Sequence, residues 1–119
     1  MILEFSWPNK LLNPNKRPHI HVKGRATATA KHEAYVLTKA NHWGELTGAK
    51  KLKVTFTFHP PDKRRRDLDN VFGSCKWMRD GIASALLIDD AHWNPIIIKW
   101  GEYRKHGLVI VELEKDEEE

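Results

Sequence analysis

Hydrophobic and polar residues alternate with the period of a β-strand in several short segments of the chain. The alternation is strict from Lys51 to Phe58, where apolar residues occupy every second position and lysine or threonine the others. A shorter apolar segment predicts an opening strand from Ile2 to Trp7, which Pro8 ends. Two further apolar segments predict the last strands, from Pro95 to Trp100 and from Leu108 to Leu113.

Two longer segments have apolar residues at the three- and four-residue spacing that is typical of helices. The first helix is predicted from Ala26 to Trp43, with Thr29 as a candidate cap and Gly44 as a stop signal. The second is predicted from Asp69 to near Ile88, with one apolar stripe facing the core. The stripe consists of Val71, Cys75, Met78, Ile82, Ala85 and Leu86.

The order of these elements indicates the fold class. Between the first strand and the first helix, repeated prolines exclude a long regular element, although His19 to Val22 favours a short strand. The order β-α-β-α-β-β predicts one α+β domain, residues 1–113, in which two main helices pack on a mixed sheet. Residues 114–119 are expected to form a disordered acidic tail.

Composition and charge narrow the class of protein. A lone cysteine, Cys75, excludes an internal disulfide and indicates a reducing, intracellular compartment. No apolar stretch approaches the ~20 residues that span a bilayer, and the N-terminus lacks a secretory pattern, so neither a membrane nor secretion is expected. The last six residues carry five acids and one base, so the net charge of +4 leaves +8 on residues 1–113. This charge favours a polyanionic partner. The ordinary alternative is that the net charge only keeps a small protein in solution.

A cluster of charged residues lies between the central strand and the second predicted helix. Four consecutive cations, Lys63 to Arg66, precede Asp67 and Asp69, and a second acidic pair, Asp89 and Asp90, follows the helix. Carboxylate oxygens are the ligands that Mg²⁺ prefers, and in phosphoryl-transfer sites the ion links carboxylates to the phosphate. The pattern therefore indicates a site for a metal ion and a polyanion.

The second predicted helix would place several of these groups on one polar face. At about 100° per residue, Lys76 lies about 20° around the helix from Asp69. The bare backbone of Gly73 lies between them, opposite to the apolar stripe. Each feature alone has an ordinary explanation, since an aspartate at a helix start is often a cap and a basic run is often a solvated turn. Together they favour a metal-dependent enzyme that acts on nucleic acid.

The motif Arg64-Arg65-Arg66-Asp67-Leu68-Asp69-Asn70, followed by a helix and Asp89-Asp90-Ala91, resembles the RusA family of Holliday junction resolvases. These are the crossover junction endodeoxyribonucleases of bacteria and their phages. The resemblance covers nearly the whole chain. It implies a cytoplasmic homodimer that resolves four-way junction DNA by paired symmetric nicks, in DNA recombination and repair. The implied cofactor is Mg²⁺, with Mn²⁺ as a substitute.

The resemblance also implies residue roles. It makes Asp67, Asp69 and Asp90 the metal-binding catalytic aspartates and Lys76 the catalytic lysine. Some members place that lysine four residues after the second aspartate, where this chain has Gly73; both offsets lie on one face of a helix. The implied DNA contacts are Lys63, Arg64, Arg65, Arg66 and Asn70, together with Asn13, Asn15, Lys16 and Arg17 in the loop before the first helix.

The residues leave two other functions open. The first is a non-catalytic module that binds junction or duplex DNA through its phosphates, with the aspartates as helix caps. The second is a metal nuclease acting on flap or other branched DNA, in which Trp43, Trp77 or Trp93 stacks on unpaired bases. Cleavage of defined substrates distinguishes all three.

Overall fold

The computed structural model describes residues 1–14, 20–41, 44–46 and 48–116. It confirms an α+β domain with a mixed sheet and two main helices. None of the described helices is long and apolar enough to cross a membrane. Short 3₁₀ turns at Lys10–Leu12 and Asp90–His92 precede the first helix and the third strand. The main elements are β1 (Ile2–Phe5), α1 (Ile20–Asn41), β2 (Leu52–His59), α2 (Leu68–Gly73), α3 (Lys76–Leu86), β3 (Trp93–Trp100) and β4 (Leu108–Lys115).

The last strand in the chain, β4, lies inside the sheet. The strand order is β1-β4-β2-β3, and β4 pairs antiparallel with both β1 and β2. Strands β2 and β3 are parallel, with Leu52 beside Trp93 and Phe58 beside Trp100. A parallel pair needs a long crossover connection, which α2 and α3 provide. The consecutive strands β3 and β4 are therefore not neighbours, and β3 is an edge of the sheet.

One face of the sheet forms the hydrophobic core. The alternation predicted for the central strand is confirmed, because Leu52, Val54, Phe56 and Phe58 are all fully buried. The facing residues of β4 extend the same layer, and removal of this apolar area from water, at roughly 25 cal/mol per Å², is the main stabilising contribution. These β4 residues are Val109, Val111 and Leu113.

The two main helices are in close backbone contact at Gly81 of α3. A Cβ atom at this position would overlap the carbonyl oxygen of Lys31 and lie 2.9 Å from the Cβ of Ala34. Only glycine allows this contact between the two helices. Beside it, the buried hydroxyl of Thr38 donates a hydrogen bond to the carbonyl oxygen of Ala34 at 2.7 Å, so burial leaves no unpaired group there.

The first helix begins earlier than the pattern predicts. It starts at Ile20 rather than Ala26, so the short strand expected over His19 to Val22 is wrong for residues 20–22. Thr29, the expected cap, lies inside the helix. The residues between these two starts include lysine and arginine, which are good helix formers, and no proline. The predicted end at Trp43 lies outside the described residues.

The second predicted helix is in fact two helices, separated by a turn that begins at Ser74. The hydroxyl and the backbone N–H of Ser74 both donate to the carbonyl oxygen of Asn70 at 3.0 Å. Serine hydroxyls compete for helical carbonyls, and Gly73 just before the turn is a poor helix former. The prediction of one continuous face with Asp69 and Lys76 is therefore wrong.

The last strand extends beyond the predicted domain boundary. It continues to Lys115 rather than ending at Leu113, because its last residues pair with the start of β2. The disorder expected of the acidic tail is therefore wrong for Glu114 and Lys115. Residues 117–119 lie outside the described part of the chain.

Candidate nucleic-acid interface

The four consecutive cations, Lys63 to Arg66, form a cationic run in the connection between β2 and α2. Asp62 organises this connection. The Asp62 carboxylate accepts a hydrogen bond from Arg64 Nη2 at 3.1 Å and from the Arg64 backbone N–H at 2.9 Å. It also pairs with Arg66 Nη2 at 2.9 Å. These hydrogen bonds, those from Arg64 foremost, lower the pKa of Asp62 from 3.8 to about 2. Lys63 and Arg65 point to solvent.

Arg66 points inward and contacts Trp7. Its side chain is 18% exposed, and its Cζ lies 5.6 Å from the centre of the Trp7 ring. The ring of Trp7 also packs edge-on against Phe58, at 6.4 Å between centroids. On another side Gly107 touches it, because a Cβ there would lie 2.8 Å from the Cβ of Trp7. Trp7 is therefore held in one orientation by three separate segments.

A basic pocket of about 580 Å³ lies between the cationic run and the loop that follows β1. Arg64–Arg66 and Lys10 supply its positive charge. Asn13 and Asn70, both predicted to contact DNA, line the same pocket, and so does Asp67. The structure therefore brings together residues that are far apart in the sequence. The remaining predicted contacts of the loop, Asn15, Lys16 and Arg17, lie outside the described residues.

The cationic run also borders a second pocket, of about 510 Å³, that contains exposed aromatic rings. Trp100 and Tyr103 are 41% and 53% exposed and line it with Arg64–Arg66. Lys63, which does not line the basic pocket, has its Nζ 5.8 Å from the Tyr103 ring. The arginines therefore separate two pockets and are accessible from both.

Asp67 and Asp69 lie at the start of α2, next to the basic pocket. Asp67 has the backbone position of an N-cap, but its side chain makes no capping hydrogen bond. Among the described residues, its Oδ2 atom accepts one long hydrogen bond, from Asn70 Nδ2 at 3.4 Å. Asp69 is exposed in the first turn of the helix. The interpretation of Asp67 as a side-chain cap is therefore wrong, and Asp67 lines the basic pocket.

The two aspartates of the second acidic pair, Asp89 and Asp90, make different contacts. The Oδ1 atom of Asp89 accepts from the backbone N–H of Ala91 at 2.9 Å, and this bond is the main reason why the pKa of Asp89 is lowered. Asp90 is half-buried and lines a pocket of about 410 Å³ together with Asp80 and Ser84. Both aspartates line this pocket, but only the Asp89 carboxylate accepts a backbone hydrogen bond of the turn.

The three predicted metal-binding aspartates adjoin opposite ends of the β2–β3 strand pair. Asp67 follows the C-terminal end of β2, whereas Asp90 precedes the N-terminal end of β3. Because these parallel strands each have eight residues, their opposite ends lie roughly 25 Å apart. In agreement, no three His, Cys, Asp or Glu side chains of the described residues are grouped to hold a metal ion. The described residues of one chain therefore show no preformed group of ligands for the expected Mg²⁺ ion.

Lys76, the predicted catalytic lysine, is the first residue of α3. Its Nζ lies 3.5 Å from Asp80 Oδ2 and 4.2 Å from the centre of the Trp77 ring. It lines neither of the pockets that contain predicted aspartates. The backbone of Gly73, expected to be bare, is covered by Pro14, whose Cγ would lie 2.8 Å from a Cβ there.

Sequence reasoning missed Trp7 as a candidate functional residue. The pattern assigned it to the first strand, and stacking roles were considered for other tryptophans. Among these, Trp93 is 3% exposed in the core, Trp77 is half-buried, and Trp43 lies outside the described residues. β1 ends at Phe5, so the backbone of Trp7 lies outside the strand. The adjacent Pro8 was the available signal, since proline ends a strand.

Comparison with known proteins identifies a relative. The chain is 33% identical over 113 residues to a protein of Xylella fastidiosa (strain Temecula1) whose name says only that it is uncharacterized. The alignment covers 93% of this chain and 74% of that protein. The chain therefore belongs to the same family as this bacterial protein. No family model matches the chain.

Proposed function

We propose that this protein is a Mg²⁺-dependent endodeoxyribonuclease that resolves four-way DNA junctions by paired symmetric nicks. The observation that carries the proposal is the basic pocket, which Arg64–Arg66, Lys10 and three asparagines line together with Asp67. Guanidinium and amide groups bind phosphate oxygens and fix the position of a DNA strand. A carboxylate without a capping role beside such groups supports phosphodiester chemistry over binding alone. The similarity of the Arg64 to Asn70 motif to the RusA resolvases supports the same function.

Two copies of the chain form the proposed active unit. Because Asp67 and Asp90 adjoin opposite ends of the β2–β3 strand pair, the third carboxylate comes from a second copy in this proposal. Carboxylate oxygens are suitable ligands for Mg²⁺, so the chemistry of the donor set agrees with the cofactor. A two-fold dimer also has two equivalent sites, which paired nicks require.

The open edge of β3 is the proposed contact between the copies. Ile96 and Ile97 are both 39% exposed there, on a strand whose outer edge has no partner among the described residues. Antiparallel pairing of two β3 strands around an axis between these isoleucines would bring Asp90 of one copy near Tyr103 of the other. The acidic turn before β3 would then face the cationic run, so the charges are complementary across the contact.

Within the site, the chain's own residues have distinct proposed roles. Arg64 and Arg65 bind the phosphates of the DNA backbone, because their guanidinium groups border both pockets. Asp67 and Asp69 supply carboxylates at the phosphate. Lys76 stays a candidate for neutralising charge at the phosphate, although in the isolated chain it pairs with Asp80.

Cleavage of a labelled mobile four-way junction tests the proposal, with matched duplex and flap DNA as alternative substrates. The native chain should nick the junction in pairs with Mg²⁺ and not in EDTA. Asp69→Asn should lower the rate by more than the roughly 10- to 100-fold that loss of an outer-shell metal partner causes, with junction binding retained. Glu112→Gln, in a strand away from both pockets, is the matched control and should cleave normally.

Two outcomes would contradict the proposal. Tight junction binding without nicks, by a native chain supplied with Mg²⁺, would indicate the non-catalytic DNA-binding module. Faster cleavage of flap DNA than of the junction would indicate a nuclease for other branched DNA.

A further inference from the structure

An apolar cavity of about 690 Å³ lies beside the basic pocket and has no role in the function proposed above. It is formed by the loop after β1, the first half of α1 and the start of α3. Its apolar surface comes from Phe5, Trp7, Leu11, Leu12, Ala30 and Met78. A volume of this size is in the range of about 300 to 1,000 Å³ that is common for sites of small organic groups.

The cavity and the basic pocket are continuous. Trp7, Pro8, Asn9 and Ser74 line both of them. A ligand that occupies both spaces therefore needs a planar or apolar group at one end and an anionic group at the other. A nucleotide has this composition, with its base next to its phosphates.

The ring at the boundary is well placed to contact such a base. Trp7 is held by Phe58, Gly107 and Arg66, as described above. An aromatic ring that is already fixed loses little conformational entropy when a ligand contacts it. Thr29 and Glu33 of α1 also line the cavity and offer polar groups to the edge of a base.

We propose that this cavity, which we call the Trp7 groove, binds one unpaired nucleobase of a DNA strand whose phosphates contact the arginines of the basic pocket. The inference rests on the proposed function in that it takes DNA as the ligand. It adds that the protein recognises an unstacked nucleotide, such as one at a branch point, rather than phosphates alone. A base contact of this kind is tolerant of sequence, because every base has an aromatic face.

Two duplexes with equal charge test the proposal. One contains a single bulged thymidine, and the other contains an abasic nucleotide at the same position. Binding is measured by fluorescence anisotropy in EDTA, so that no cleavage is needed. The native chain should bind the thymidine bulge about 5- to 150-fold more tightly, which is the range of base stacking on an aromatic ring.

Two variants locate this preference. Ala30→Trp fills the groove from α1 and Trp7→Leu removes the ring, and each should bring the ratio of the two affinities to about one. Ala30→Trp, which lies outside the basic pocket, should do so without weakening binding of the abasic duplex. Ala28→Trp is the matched control, because Ala28 is exposed on α1 and does not line the groove. It should keep the native ratio. Arg65→Ala should weaken binding of both duplexes equally.

Equal affinity of the native chain for the two duplexes would overturn the proposal, and so would a ratio that Ala30→Trp leaves unchanged. Either result would assign the groove to another occupant, such as an apolar peptide or the protein's own residues. These outcomes are distinct from failure of the proposed function. A chain that prefers the thymidine bulge but never nicks a junction supports base binding in the groove and contradicts the nuclease. A chain that nicks junctions but binds the two duplexes with equal affinity supports the nuclease and contradicts base binding in the groove.

Discussion

The guanidinium group of Arg66 lies over the ring of Trp7, with 5.6 Å between its Cζ and the centre of the indole ring. The contact joins the cationic run to the loop after β1 and so fixes the shape of the basic pocket. Lysine lacks the planar guanidinium group that makes this contact with the ring. We expect Arg66→Lys to lower the free energy of unfolding by about 0.5–1 kcal/mol, measured by urea denaturation. Arg65→Lys, at an exposed position of the same run, should leave it unchanged; equal losses in both variants would contradict this role of Arg66.

The conformation of the same run depends on the ionisation of Asp62. Its pKa is lowered from 3.8 to about 2, chiefly by Arg64. Since the folded-state pKa is the lower one, the contribution to stability is fully present above the unfolded value and is lost as the pH falls from about 4 to about 2. An NMR titration of the Asp62 carboxyl carbon should give a midpoint near 2. In Arg64→Gln the midpoint should move up towards 3.8; an unmoved midpoint would show that Arg64 is not the main cause.

The fold could be predicted where the signal is local. The alternation of β2 predicted its buried face because strand geometry places every second residue on one side. The break after Gly73 could not be predicted from periodicity, because the apolar stripe continues across it. Nor does any local pattern place β4 between β1 and β2, since that order is decided by pairing between residues far apart in the chain.

The candidate site, like the fold, could be predicted only where its residues are close together in the sequence. Asp67 and Asn70 are three residues apart at one helix start, and the sequence predicted their proximity to the arginines. The separation of Asp90 from them follows from the parallel pairing of β2 and β3, which the chain order alone does not specify. The position of Trp7 depends on its contacts with distant residues such as Gly107.

Packing of the two main helices depends on Gly81. A Cβ there would overlap the carbonyl oxygen of Lys31 on α1, so Gly81→Ala should force the helices apart. We expect a loss of about 1–3 kcal/mol in the free energy of unfolding, the usual result of overpacking. Gly24→Ala is the control, because a Cβ at this position in α1 meets nothing within 4 Å. It should instead stabilise the helix by about 0.5–1 kcal/mol. A neutral Gly81→Ala would contradict the close helix contact.

The proposed dimer contact at β3 predicts a monomeric variant. Ile97 is 39% exposed on this edge strand, and a charge on an edge strand opposes pairing with another chain. We expect Ile97→Glu to sediment as a monomer and to lose paired nicking, while the native chain sediments as a dimer. Ile2→Glu changes an isoleucine that is 66% exposed on β1, at the other edge of the sheet, and should stay dimeric. Dissociation by Ile2→Glu alone would move the contact to β1.

A site built from two copies predicts that two inactive variants regain nicking activity when they are mixed in one dimer. Asp69→Asn and Asp90→Asn should each be inactive alone, because each removes a carboxylate from both sites of the dimer. In a mixed dimer, the Asp69→Asn chain supplies an intact Asp90, and the Asp90→Asn chain supplies intact Asp67 and Asp69. One complete site results, so co-refolded mixtures should nick junctions singly rather than in pairs, as denaturing gels of end-labelled strands would show.

The matched control for this mixing experiment pairs Asp69→Asn with Asp67→Asn. These two residues lie together at the start of α2, so every site of the mixed dimer keeps one defect and no activity should return. If all three carboxylates acted within one chain, neither mixture would regain activity, because each chain would still lack one of them. Recovery in the first mixture and not in the second therefore distinguishes a shared site from one within a single chain. Recovery in neither, with mixed dimers present, would contradict the two-copy site.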